Sequence, residues 1–168
     1  MRSILLPSLL VVVACSGDDG GAANQAASEA AAAALELRPG AWAVTGETMS
    51  VAALDKGKPA MNPKVGALKE TETCIAAGQQ DKPPAALFSG STDACDTQRA
   101  YLSRGRISAQ LSCKRAGLDS PYQISVDGTY TAKSFAAESS LATALIADGD
   151  VRIITKLTGR RTGECPAT

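Results

Sequence analysis

Histidine is absent from all 168 residues. That removes Ser-His-Asp and Cys-His catalytic pairs, the usual proton shuttle near neutral pH, and every zinc site built on imidazole. An excess of one charge is missing too: 17 basic and 17 acidic side chains cancel. Nucleic-acid binding needs a one-signed surface, so no nucleic-acid partner is expected. The basic pairs Lys114–Arg115 and Arg160–Arg161 stand alone, without interleaved aromatics, and read as solvated side chains. Aromatics are few, with one Trp, three Tyr and two Phe, so stability here leans on aliphatic packing and cross-links. A membrane-spanning run is also lacking. Ile4 to Val13 is mostly apolar but broken by Pro7 and Ser8, and about ten residues fall short of the roughly 20 that cross a bilayer.

That short run follows Arg2 and ends Val12-Val13-Ala14-Cys15. A positive start, an apolar stretch and a small residue at the end make a signal peptide. The last four residues resemble the bacterial lipobox. The resemblance implies cleavage after residue 14, lipid on the Cys15 thiol, and a membrane anchor of several acyl chains. An ordinary secretory signal with an incidental cysteine is the alternative. Ser16, rather than an acidic residue, follows the anchor, which by analogy with sorted lipoproteins favours the outer membrane, facing the periplasm.

Residues 15–38 read as a tether. Gly, Asp, Asn and Ala fill its first half without apolar period, and residues 29–37 are Ala-rich, either a short helix or more spacer. Beyond Pro39 and Gly40 the pattern turns to period two. Ile107, Ala109, Leu111 and Cys113 alternate with polar neighbours, as do Tyr122, Ile124 and Val126, and Val151, Ile153, Thr155 and Leu157. Trp42 and Val44 share a face, with Trp42 in the core. Such alternation marks strands with one wet face. Ser103-Arg104-Gly105 and Asp148-Gly149-Asp150 suit hairpin turns. Residues 68–75 form a polar, edge-like strand, 51–65 a long loop, and 134–147 either helix or strand. Pro83-Pro84 ends any helix begun at Ile75. The expectation is a mainly β domain over residues 39–165 with six or seven antiparallel strands and a short helical excursion, as a curved meander, barrel or sandwich. Residues 166–168 are a tail.

With Cys15 lipidated, Cys74, Cys95, Cys113 and Cys165 remain. An even set in an oxidising compartment reads as two disulfides. Successive gaps of 20, 17 and 51 residues, with no Cys-x-x-Cys, argue against a metal or redox site. Three pairings are open. Cys74 ends one strand and Cys95 opens the next, which favours Cys74–Cys95 and leaves Cys113–Cys165.

Several landmarks together resemble the bacterial domain-of-unknown-function family 3617, small exported proteins. They are Pro39-Gly40-Ala41-Trp42; Thr73-Cys74-Ile75 with Asp81-Lys82-Pro83-Pro84, Phe88 and Gly90; Ala94-Cys95; Gly105-Arg106-Ile107; Leu111-Ser112-Cys113; Gly128-Thr129-Tyr130; and Gly159-Arg160-Arg161-Thr162-Gly163-Glu164-Cys165. The match runs over about residues 38–165. It departs at residues 76–80, where the family's Thr-Pro-Glu helix start is missing. The resemblance implies an exported antiparallel β domain with four cysteines and carries no activity.

For function, a non-catalytic envelope module that binds or supports is expected, with no cofactor. Its alternatives are an inhibitor inserting the 51–65 loop into a partner's cleft, or a carrier holding a small apolar ligand inside a barrel. An enzyme would need Glu70 and Glu72 as a carboxylate pair, a spacing more typical of a solvated edge. Arg160 and Arg161 fall on opposite strand faces and make no anion clamp.

Overall fold

The structure, a computed structural model, describes residues 35–167. The signal peptide, Cys15 and most of the tether lie outside the described residues. Seven strands and one short helix follow in chain order: β1 (Gly40–Ala53), β2 (Leu68–Ile75), α1 (Ala86–Ser89), β3 (Ala94–Ser103), β4 (Arg106–Lys114), β5 (Tyr122–Tyr130), β6 (Ser134–Ala142) and β7 (Val151–Gly163). They form one antiparallel sheet, ordered β2-β1-β7-β6-β5-β4-β3, that curls into a half-barrel. The edges are β2, as its polar sequence implied, and β3.

The connection from β2 to β3 joins the two edges of the sheet. It carries Leu87 and Phe88, both fully buried in the main core, so the chain fills its own half-barrel. Phe88 meets Phe135 edge to face at 5.8 Å, and Phe135 lies 6.2 Å from Trp42. Phe135 faces Gly159 across the β6–β7 pair, and a Cβ on Gly159 would collide with its ring. The small aromatic complement is concentrated at this spot. Trp42 is buried and donates its indole N–H to the Arg38 carbonyl at 3.1 Å, satisfying its one polar atom.

Helix α1 starts after Pro83-Pro84 instead of ending there. Prolines have no N–H to lose at a helix start, and Leu87 N–H donates to the Pro84 carbonyl. Residues 76–85 form turns, consistent with the missing helix-start motif. Gly90, in the left-handed region at φ 56°, closes α1.

One open alternative is resolved and two expectations need correction. Residues 134–142, open between helix and strand, are strand β6. The one polar slip in its alternation is Ser139, buried beside its partners Val126 and Thr155. Strand β1 runs on to Ala53, so the loop spans 54–67. A bulge at Met49 moves the inward set from Trp42, Val44 and Thr48 to Val51, and this break in period hid the strand's end. The disulfides are Cys74–Cys165 and Cys95–Cys113, not Cys74–Cys95 with Cys113–Cys165. The physical reason is strand order: Cys74 and Cys95 sit on opposite edges of the sheet, whereas Cys95 and Cys113 are direct partners on β3 and β4.

The strands also sort the sheet's two ends. At one end lie the turns 104–105 and 131–133, the start of β1 and the end of β7. Arg104 and Gly105 both have positive φ, 51° and 74°, the signature of a type I′ hairpin turn. There Arg161 Nε donates to the Pro39 carbonyl at 2.6 Å, so the chain's opening and closing motifs meet. Leu37 is buried alongside, so the packed body begins two residues before Pro39. The other end carries loops 54–67, 115–121 and 143–150.

Candidate functional site

The long-loop end is built on two aspartates. Asp55 accepts N–H bonds from Gly57, Gly149 and Asp150 at 2.7–2.8 Å. These donors, the Asp150 N–H first and then Gly149, hold its carboxyl below the usual carboxylate range. Asp150 accepts from the Thr143 hydroxyl at 2.9 Å and the Leu145 N–H at 2.8 Å. Loop 54–67 is thereby fastened to loop 143–150, and Met61 tucks into the core.

Between loop 54–67, α1 and the sheet opens a cleft of about 480 Å³. Thr48 and Thr155, direct partners on β1 and β7, line its inner sheet wall. Met61, Leu141 and Ile153 supply apolar surface. Ser89 and Gly90 bound it from α1, and Lys69 and Arg115 reach it from β2 and the β4–β5 loop.

Arg115 is fixed in place. Its Nη2 and Nε donate to one oxygen of Asp93 at 2.6 and 3.0 Å, and its guanidinium lies 5.9 Å from the Tyr122 ring centre. The Tyr122 hydroxyl donates to that same oxygen. Burial works to raise the Asp93 carboxyl, but donation from Arg115 and Tyr122, with the charges of Arg115 and Lys69, outweighs it and leaves the group lowered. Burial, then the Asp93 bond, pushes Tyr122 up to about 12. Arg115 is raised, chiefly by its bond to Asp93. A carboxylate oxygen that accepts from three donors holds a loop and orients a cation.

Glu70, Glu72 and Arg160 stand elsewhere, on the outer face. They border a shallow groove of about 430 Å³ floored by Ala43 and Thr45. Both glutamates are exposed. Arg160 points outward while Arg161 turns to Pro39 and to Glu164, so the two make no clamp. Among the described residues no three His, Cys, Asp or Glu side chains gather as a metal site requires.

The Asp93–Arg115–Tyr122 set was not visible in the sequence. Its members are 22 and 29 residues apart, and Arg115 reads there as one of an ordinary basic pair. The only local hint is Asp93 at the end of a Ser-Gly-Ser-Thr run, a turn composition.

A family model described as a protein of unknown function (DUF3617) matches residues 37–165. The chain belongs to this family. The matched span starts at buried Leu37 and ends at cross-linked Cys165, so the DUF3617 unit coincides with the packed half-barrel. Neither a curated protein nor a solved structure matches the chain.

Proposed function

We propose that this DUF3617 chain is an exported envelope lipoprotein whose half-barrel is a non-catalytic binding or structural module. In this reading the chain is cut before Cys15, held by acyl chains on that thiol, and faces the periplasm from the outer membrane. The observation that carries the reading is the cysteine pairing. Cys74 with Cys165 and Cys95 with Cys113 use every cysteine of the domain, which leaves Cys15, in its lipobox-like setting, as the single thiol for lipid. Two disulfides also favour an oxidising compartment.

The non-catalytic half rests on the side chains described above. Asp93 is engaged by Arg115 and Tyr122 in holding the 115–121 loop, and Glu70 and Glu72 are solvated. The filled concave face favours a surface cleft over an enclosed apolar cavity as the place where a ligand sits. The anchoring of loop 54–67 through Asp55 and Met61 favours a packed loop over one that inserts into a partner.

Intact-mass analysis of the native chain from membranes tests the reading. The expected species starts at Cys15, carries acyl mass and has no free thiol. A chain retaining residues 1–14, without acyl mass and with four alkylatable thiols, would overturn it.

A further inference from the structure

We propose that the long-loop cleft binds a small amphiphile with a single anionic head, a carboxylate or phosphate, on a short apolar chain. The inference deepens the binding-module reading and is independent of the anchor on Cys15.

Two glycines, Gly46 and Gly90, let the walls of the cleft pack closely on Leu157. Gly46 lies on the inner face of β1, opposite Lys69 on one side and Leu157 on the other. A Cβ there would press on Thr155 Cγ2 at 3.2 Å and Leu157 Cδ2 at 3.3 Å. At Gly90, which closes α1, a Cβ would come within 2.7 Å of Leu157 Cδ2. The cleft volume of about 480 Å³ is that of a small-molecule pocket.

Its lining is two-sided. Met61 and Ile153, each 5% exposed, and half-buried Leu141 offer an apolar patch for a short chain. Thr48, 8% exposed, adds a hydroxyl that orients a polar end, while the Ser89 hydroxyl is held by the Ser91 backbone. No carboxylate lines the cleft, while two cations do. Asp93 offsets one of them by holding Arg115. Lys69 projects from the inward-facing set of β2 and has no ion pair among the described residues. One uncompensated positive charge over an apolar floor is complementary to a monoanionic amphiphile.

Amide chemical shifts of the full ¹⁵N-labelled chain, titrated with octyl phosphate, octanoate, octanol and inorganic phosphate, test this. An octyl anion is expected to give saturable shifts at Thr48, Met61, Ser89 and Ile153. Octanol and inorganic phosphate should each bind more weakly, and the stronger of the two octyl anions names the head group. Lys69→Gln, on an exposed position, should weaken the anion about fivefold and leave octanol unchanged. No saturable shift, shifts centred on Leu37 and Tyr130 instead, or equal affinity in Lys69→Gln would overturn the site. None of these failures touches the acyl mass expected at Cys15, so this proposal and the anchored-lipoprotein reading fall separately.

Discussion

At one end of the half-barrel the strands turn in two or three residues, and the opening and closing segments of the domain are locked together through Arg161, Pro39 and the Cys74–Cys165 bridge. At the other end the turns lengthen into loops 54–67, 115–121 and 143–150, fastened by Asp55, Asp93 and Asp150. Each end carries one disulfide, Cys74–Cys165 at the first and Cys95–Cys113 at the second, so what separates them is tight backbone turns at the first and carboxylates at the second. Folds commonly place binding on loops held by a rigid scaffold, and the cleft that sets Lys69 over Met61 and Ile153 lies at the carboxylate-held end. The division predicts that acid loosens the second end before the first.

The largest effect is expected from the bridges. Both are disulfides, but Cys74–Cys165 spans 91 residues and Cys95–Cys113 only 18. Loop entropy in the unfolded chain makes the first worth about 4.6 kcal/mol and the second about 3.2 kcal/mol. Urea denaturation of the paired alanine variants, Cys74→Ala/Cys165→Ala against Cys95→Ala/Cys113→Ala, should reproduce that order. The reverse order would mean that the cross-link between β3 and β4, not the one tying β2 to the segment after β7, holds the domain together.

Phe88→Ala should come next, at about 3–4 kcal/mol, because it empties the element that fills the half-barrel and removes the edge contact to Phe135. Gly159→Ala follows, at about 1–3 kcal/mol by overpacking, since the added methyl meets the Phe135 ring. A Gly159→Ala chain as stable as the parent would show that Phe135 has room to move, and that the aromatic cluster is looser than its contacts imply.

Much of the first end was legible beforehand. The period-two runs of β4, β5 and β7 and the Arg104-Gly105 turn are local, and a local pattern needs no knowledge of the rest of the chain. The second end was not. Its strand β1 is broken by a bulge at Met49, and β3 by another between Thr97 and Arg99, each of which defeats a search for alternation. The cysteine pairing depended on where β3 sits in the sheet, and a connection crossing from one edge to the other leaves no trace in composition. The cleft gathers Gly46, Lys69, Ser89, Arg115 and Thr155 from five separate segments, so no motif spacing announces it.

The smallest effect expected, and the sharpest test of the division, is acid loosening confined to the loop end. Asp55 and Asp93 are both held below the ordinary carboxylate value, so each favours the folded state when ionised. That contribution is complete above the unfolded value of about 3.9 and is lost as pH falls through the lower folded value. Below about pH 4, hydrogen exchange should therefore rise first at the amides of Gly57, Gly149 and Asp150, which Asp55 accepts, while Trp42 at the other end keeps its buried fluorescence. Asp55→Asn should show that faster exchange already at neutral pH and respond less to acid, because an amide oxygen accepts the same bonds without the charge that strengthens them. If Trp42 and the loop amides instead respond together, the two ends melt as one unit and the carboxylates hold the whole half-barrel, not its loops.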